Sequence, residues 1–213
     1  LGFIEEEANY MHPALSSTGD TLFFSSDMIN GWGKFDIYYS VKGSEGYAYP
    51  EKLGRNINSA KNDQFPYMIN DTLYFASEGH PGLGGLDIFY TVKTDDGPTD
   101  WAVPTNMKSP VNSSGDDFGI ILNATKEAGF FTSNRTKSQD DIFEFTMEPI
   151  ECTLKGQITD CDSGTAISNA LVEISNNVDS SIIRLRTDER GYYDTKIGIN
   201  KEYTIAVSKR QAY

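Results

Sequence analysis

Short apolar and aromatic runs of four to six residues alternate with polar turns through the first 150 residues. The runs are rich in Phe, Tyr and Ile and are bounded by Gly, Asn, Asp and Ser, which is typical of β-strands separated by turns. No window in this region keeps a helical apolar period over the roughly eleven residues that a helix assignment requires. The pattern therefore predicts an all-β fold.

The runs repeat along the chain. One segment, with two apolar or aromatic residues before a Ser, occurs three times, as Thr21–Asp27, Thr72–Glu78 and Ala128–Asn134. After a turn, each is followed by a run that contains Asp-Ile, and these aspartates recur 51 and then 54 residues apart as Asp36, Asp87 and Asp141. Such self-similarity at a period near 50 residues indicates a repeat architecture.

A third block completes the repeat. Tyr47–Pro50 recurs 54 residues later as Trp101–Pro104, and its proline suits an edge strand, where a missing N–H breaks no ladder bond. With a first strand near Tyr10–Leu15 or Phe65–Ile69, each unit has about four strands, which is the signature of a β-propeller blade. We place the units at about 8–54, 63–108 and 117–147, within a propeller segment at 1–149.

Three units are too few for a closed propeller, which has about four to eight blades. The third unit has no Trp-x-x-Pro strand before Cys152, and Leu1–Ile4 looks like the end of such a strand. We therefore expect a partial propeller in a fragment of a longer protein.

These motifs resemble a known family. The Phe-Ser-Ser-Asp…Gly…Asp-Ile-Tyr pattern is similar to the TolB-type, WD-like propeller repeat, and the segments 12–27 and 79–90 resemble propellers of OmpA-family periplasmic lipoproteins of Bacteroidota. PorE-like lipoproteins of the type IX secretion system are the best-known kind. The resemblance implies a periplasmic, outer-membrane-associated protein whose partners are other cell-envelope proteins.

From residue 150 to 213 the pattern changes to strict alternation, as in Leu171–Ile174 and Tyr203–Val207, which predicts half-buried strands of an antiparallel β-sandwich. The order of Gly156, Ala170, Asp188 and Gly191 is similar to the carboxypeptidase regulatory-like, transthyretin-like module. The module ends early here. In the resembling proteins peptidoglycan is bound by a following OmpA-like domain, which this sequence does not contain.

Charge limits the partners. The formal net charge is −13, from 18 basic and 31 acidic residues, which argues against nucleic-acid binding and against a polybasic membrane contact. No apolar run approaches the ~18 residues of a membrane helix. We therefore expect no nucleic-acid partner and no direct membrane insertion.

Recurring residues are the first candidates for chemistry. Asp36, Asp87 and Asp141 have the residue type of paired glycosidase acids, but catalytic acids occupy unique positions and these recur, so we favour turn-capping residues. The serines of the same runs, Ser26, Ser77 and Ser133, are likewise interpreted as repeat residues, because Gly-x-Ser-x-Gly is absent. We expect no catalytic residues.

Other residues have a structural interpretation beside a functional one. Gly79–Gly85 superficially resembles a phosphate-binding loop, but a strand rather than a helix follows, which favours a turn. Trp32, in the equivalent loop of the first unit, is either a partner contact or a cover for a blade edge. His12 and His80 each lie beside a proline and are expected to be solvated or to stabilise turns.

We expect no cofactor and no metal. An extended segment between Cys152 and Cys161 separates them too far for a disulfide, and two cysteines cannot supply a four-ligand zinc site. Three acidic pairs have oxygen ligands that suit Ca²⁺, but no Asp-x-Asp-x-Asp-Gly loop exists, so solvated charge is favoured; the pairs are Asp95-Asp96, Asp116-Asp117 and Asp140-Asp141.

The sequence thus leaves hypotheses of different classes. The leading one is a non-enzymatic scaffold or protein-interaction module of an envelope assembly. The alternatives are the accessory propeller of a serine peptidase or glycan-active enzyme, and a carbohydrate-binding module that uses Trp32, Trp101 and exposed tyrosines.

Overall fold

A computed structural model describes residues 2–94, 97, 99–136, 139–147, 151–177, 180–199 and 201–209. Over these residues the chain is all-β, with seventeen strands and no helix, and so no described helix could span a membrane. The chain divides into two compact units, Leu1–Met147 and Glu148–Tyr213.

The first unit contains three antiparallel sheets, one for each sequence repeat. The first sheet is formed by β1 Tyr10–Leu15, β2 Thr21–Ser26, β3 Asp36–Gly43, β4 Gly46–Tyr47 and β5 Glu51–Lys52. The second is formed by β6 Asp63–Ile69, β7 Thr72–Ser77, β8 Asp87–Val92 and β9 Thr105–Asn106, and the third by β10 Asp117–Leu122, β11 Ala128–Ser133 and β12 Asp141–Thr146.

The outer strand differs from the sequence expectation of a continuous Trp/Tyr-x-x-Pro strand. In the first sheet it is split into the two-residue strands β4 and β5, with Pro50 between them. In the second sheet Trp101 makes only an isolated bridge with Lys93, and β9 begins after Pro104. Proline has a fixed φ and no N–H to donate, so the ladder is interrupted at both positions.

The three sheets pack on one another in chain order through alternating residues. On β2, Phe23 packs toward the second sheet while Phe24 packs on the opposite side against Phe3 and Tyr38. The core between the first and second sheets is built from Phe23, Ile37, Tyr39, Leu53, Ile57, Leu73, Phe75, Phe89 and Trp101. A second core, between the second and third sheets, is built from Tyr74, Ile88, Val111, Ile120, Phe131 and Phe145.

The second unit contains a two-stranded and a three-stranded antiparallel sheet. Strand β14, Leu171–Asn176, is central in the larger sheet and buries every second residue, as its alternation predicts. The remaining strands are β13 Glu151–Gln157, β15 Ile182–Arg186, β16 Tyr192–Gly198 and β17 Tyr203–Ser208, with β13 paired to β16 and with β15 and β17 flanking β14.

Candidate functional site

The repeated aspartates cap the turns that precede β3 and β8. Oδ2 of Asp36 accepts hydrogen bonds from the amides of Trp32 (2.5 Å) and Gly33 (3.1 Å). Oδ2 of Asp87 does the same for Leu83 (2.8 Å) and Gly84 (2.9 Å). The amides of the glycine-rich loop are therefore occupied by the protein's own carboxylate, which is how a turn rather than a phosphate-binding loop would use them.

Both carboxylates are closed to solvent. Asp36 and Asp87 are buried, and Oδ1 of each has no hydrogen-bond partner in the described part of the chain. Burial raises the pKa of both groups, and the turn amides only partly offset that effect. Carboxyls without an open side cannot meet a substrate, so their position suits turn capping rather than acid catalysis.

The third repeated aspartate is placed differently. Asp141 is exposed, and Oδ2 accepts a hydrogen bond from the Thr136 hydroxyl at 2.9 Å. Its strand register is nevertheless the same, because Asp141 lies opposite Ser133 as Asp36 lies opposite Ser26 and Asp87 opposite Ser77.

The three serines are buried. The Ser77 hydroxyl oxygen accepts hydrogen bonds from the amides of Gly79 and His80, and that of Ser133 accepts them from the amide and Nε of Arg135. The imidazole of His80 interacts instead with the carbonyl of Ile57, at 2.7 Å from Nε2. His80 and Ser77 thus form no nucleophile–base pair.

A second set of acids lies at the start of β6 and β10, the first strands of the second and third sheets, and the sequence pattern did not single them out. Asp63 and Asp117 lie opposite Ser77 and Ser133 and are fully buried. The expectation that the Asp116-Asp117 pair is solvated is wrong, because Asp117 forms a buried ion pair with Arg135 at 2.6 Å. The two residues are 18 positions apart, which is why the sequence pattern did not reveal the pairing.

Two buried asparagines hold the third strand of a sheet to the loop that precedes the next. Asn58 accepts a hydrogen bond from the amide of Ile37 (2.7 Å) and donates to the carbonyls of Ile37 (2.9 Å) and Leu53 (3.0 Å). Asn112 makes the corresponding bonds to both backbone groups of Ile88. Each side chain thus makes the backbone hydrogen bonds that a paired strand residue would make. The recurrence of Ile57-Asn58 as Val111-Asn112 in the sequence does not by itself indicate this role.

The first strand of each sheet, β1, β6 and β10, contains a bulge. The ladders shift register after Met11, Gln64 and Phe118, and the residue at or next to each shift has a positive φ: 54° at His12, 55° at Phe65 and 64° at Gly119. A positive φ is rare for bulky residues, so its recurrence marks a position that packing imposes.

An aromatic row crosses these bulges. The His12 and Phe65 rings stack with centroids 3.7 Å apart, and Phe65 lies 4.6 Å from Phe118. His12 was expected in a loop, solvated or stabilising a turn, and lies instead in β1. Its ring is half-buried, burial lowers its pKa, and Nδ1 has no hydrogen-bond partner among the described residues. A shallow cleft lies over the row, with Pro13, Pro66 and Ile121 in its walls.

Trp32 is the exposed residue of the turn capped by Asp36. Its indole is 40% exposed, and both Nζ of Lys52 and the guanidinium carbon of Arg55 lie 4.0 Å from its ring centroid. The other tryptophan, Trp101, is buried in the first core and packs edge-on against Phe23. Trp101 therefore cannot contribute to a surface sugar site, which corrects that part of the carbohydrate-binding hypothesis.

The remaining candidates form no centre in the described residues. Cys152 and Cys161 are both free and exposed. No group of three or more His, Cys, Asp or Glu side chains in the described ranges could hold a metal ion. The pair Asp95-Asp96 lies outside the described residues, and Asp140 and Asp141 are exposed.

The comparisons with known proteins assign no family. No protein-family model matches the chain, and no curated protein matches it.

Proposed function

We propose that the chain is part of a β-propeller followed by a carboxypeptidase regulatory-like β-sandwich, and that it serves as a non-enzymatic interaction scaffold of the bacterial outer membrane, facing the periplasm. The observation that carries this proposal is that the repeated polar residues bind the protein's own backbone. In the first two units the side chains that recur at the starts of β3 and β8 and in the loops before β6 and β10 bind backbone groups of the fold itself, as Asp36, Asp87, Asn58 and Asn112 do.

The propeller part of the proposal is supported by the free face of the third sheet. Ile37 and Ile88 occupy equivalent positions after Asp36 and Asp87, and both are 0% exposed under the next sheet. Ile142 occupies the same position in the third sheet and is 78% exposed. The face of the third sheet is thus built like the covered faces of the first and second sheets, and a further repeat would cover it in the same way.

The sandwich part is supported by the residues that carried the resemblance. The carboxylate of Asp188 accepts hydrogen bonds from the amides of Arg190 and Tyr192, each at 2.8 Å. Gly191 has a φ of 76° at this turn, where a Cβ would press on the carbonyl oxygen of Ile158. Val172 and Ile174 are fully buried along β14, and so is Ala170 immediately before it. Motif residues that define a turn and a strand core fit a structural module.

The scaffold role is supported by the surfaces that remain. The recurring acids are buried or bound to neighbouring groups, and the cleft over the His12–Phe65 row is shallow. The periplasmic location and the envelope partners come from the resemblance and are tested directly below.

The test is to express the intact protein with an affinity tag in its native host, cross-link cells, and identify proteins recovered from the membrane fraction. We expect fractionation with an outer-membrane marker and recovery of envelope proteins above an untagged control. Recovery with the cytoplasmic marker, or no envelope partner above background, would contradict the scaffold. A peptidase or glycosidase activity of the intact protein would favour the accessory-propeller alternative.

A further inference from the structure

The three residues Trp32, Lys52 and Arg55, here called the Trp32 cluster, concentrate two cations on one exposed indole. Cation–π contact holds each positive group at 4.0 Å from the ring centroid. Lys52 additionally donates a hydrogen bond to the carbonyl of Asn30, which gives the amine a second contact beside the ring. The cluster is therefore an ordered arrangement rather than two freely moving side chains.

The cations of the cluster have no carboxylate partner. The ion pairs in the described residues, each defined by an N–O distance of at most 4.0 Å, involve neither Lys52 nor Arg55. The nearby acids are otherwise engaged: Asp36 is buried against turn amides and only attracts Lys52 through space, and Glu51 accepts a hydrogen bond from Tyr39. In a chain with 31 acidic residues against 18 basic ones, two cations on one indole without a carboxylate partner are unusual.

The fold does not require this cluster, because the second repeat lacks it. Leu83 donates its amide to Asp87 as Trp32 does to Asp36. Asn106 pairs with Phe89 as Lys52 pairs with Tyr38, and Ser109 precedes Asn112 by the same interval at which Arg55 precedes Asn58. The same backbone thus carries Leu, Asn and Ser, so Trp, Lys and Arg are specific to the first unit.

We infer that the Trp32 cluster is an oxyanion-binding site, which takes the carboxylate or phosphate group of an anionic ligand. A guanidinium presents a planar fork of N–H donors that matches either group, and the ammonium of Lys52 adds a point charge. The indole holds both cations in place before the ligand arrives, which lowers the ordering cost of binding. The inference goes beyond the proposed scaffold role and does not depend on it.

The experiment is a titration of the intact protein in which tryptophan fluorescence emission and, separately, calorimetry measure binding. The probes are inorganic phosphate and trigalacturonate. The uncharged control is trigalacturonate with all three carboxylates methyl-esterified. Because Trp101 is buried, a change in emission that is lost in Trp32→Leu reports on Trp32. The variants take the second unit's residues, Arg55→Ser, Lys52→Asn and Trp32→Leu, and Lys42→Asn removes an exposed charge elsewhere in the same sheet.

We expect saturable binding of at least one oxyanion probe and none of the methyl ester. Arg55→Ser and Lys52→Asn should each weaken binding about tenfold or more, since each removes a charged donor, while Lys42→Asn should leave affinity within about twofold. Binding of phosphate alone or of trigalacturonate alone would identify the group. The inference is overturned by no saturable binding of either oxyanion, by equal binding of the ester, by full affinity in Trp32→Leu, or by equal losses in Arg55→Ser and Lys42→Asn.

Discussion

At the scale of single residues, buried polar side chains form hydrogen bonds with backbone groups that no neighbouring strand satisfies. The side chain of Asn58 accepts one hydrogen bond and donates two, all with the backbone of Ile37 and Leu53, and it is 1% exposed. Polar groups buried in this way are costly when their partner is lost, because water cannot replace it. Asn58 therefore contributes to stability mainly by satisfying the backbone groups around it.

Replacing Asn58 with Ala leaves the amide of Ile37 and the carbonyl of Leu53 without this buried partner, while the carbonyl of Ile37 keeps the amide of Leu53. We expect the free energy of unfolding to fall by about 3 kcal/mol or more, measured by urea unfolding of the intact protein. The matched change is Asn9→Ala, which removes one exposed side-chain hydrogen bond to Asp27, keeps the bond from the Asn9 backbone amide, and should cost less than about 1 kcal/mol. Equal losses in the two variants would contradict this account of Asn58.

Ionisation of Asp36 should lower the free energy of unfolding as pH rises, whereas ionisation of most carboxyls in folded proteins raises it. Burial raises the pKa of Asp36 above its ordinary value of 3.8, so the native state holds this proton more tightly than the unfolded chain. The contribution of Asp36 is full below the unfolded pKa and is lost as pH rises through the folded one. Asp36→Asn, which does not titrate, should therefore gain stability relative to wild type from about pH 3 to about pH 7.

Asp20 provides the control with the opposite sign. Hydroxyls of Ser16, Thr18 and Thr21 lower its pKa, so its contribution is present above the unfolded value and lost as pH falls. Asp20→Asn should lose stability relative to wild type over the same rise in pH. Denaturant unfolding at several pH values measures both differences, and the same sign in both variants would refute the assignment.

At the scale of strands and turns, much of the fold could be predicted from sequence, because aromatic runs bounded by turn residues specify β2, β7 and β11 locally. The outer strand was mispredicted where Pro50 and Pro104 interrupt the ladder. The Asp117–Arg135 pair and the Trp32 cluster depend on residues that only folding brings together, so no local pattern could reveal them.

The seam between the second and third sheets depends on a glycine. A Cβ at Gly84 would overlap the carbonyl oxygen of Gly115, which accepts a hydrogen bond from Gly85. Gly84→Ala should therefore lower the free energy of unfolding by about 2 kcal/mol or more, as overpacking does. Gly43→Ala, where a Cβ makes only ordinary contact, is the control. Similar small effects at both positions in thermal or urea unfolding would show that the seam is not tight.

At the bulge in β6, a Gly variant should be more stable than an Ala variant, which is the reverse of the usual order in a strand. Phe65 has a φ of 55°, a conformation that costs a residue with a Cβ about 1 kcal/mol. Both Phe65→Gly and Phe65→Ala lose the stacking with His12 and Phe118, but the Gly variant should be more stable by about that amount. At Tyr67, which is not among the positive-φ residues, Gly should instead be less stable than Ala. The same order at both positions, measured by urea unfolding, would contradict a strained bulge.

At the scale of the whole molecule, the first unit is a stack whose third sheet is uncovered. The account predicts that another repeat covers that sheet in the intact protein. Ile88→Asp and Ile142→Asp should then both destabilise the intact protein by about 4 kcal/mol or more, since each buries an unpaired charge. Ile29→Asp, at a loop residue that is 100% exposed, should change stability by less than about 0.5 kcal/mol. An effect of Ile142→Asp as small as that of Ile29→Asp would count against a covered face.

The central claim is that the three sheets belong to a larger ring of such repeats, and an experimental structure of the intact protein tests it most directly. The account predicts a further antiparallel sheet packed on the third one, with Ile142 and Phe130 as buried as Ile88 and Tyr74 are under the third sheet. A structure in which this face stays open to solvent, or is covered by something other than a repeat sheet, would contradict it.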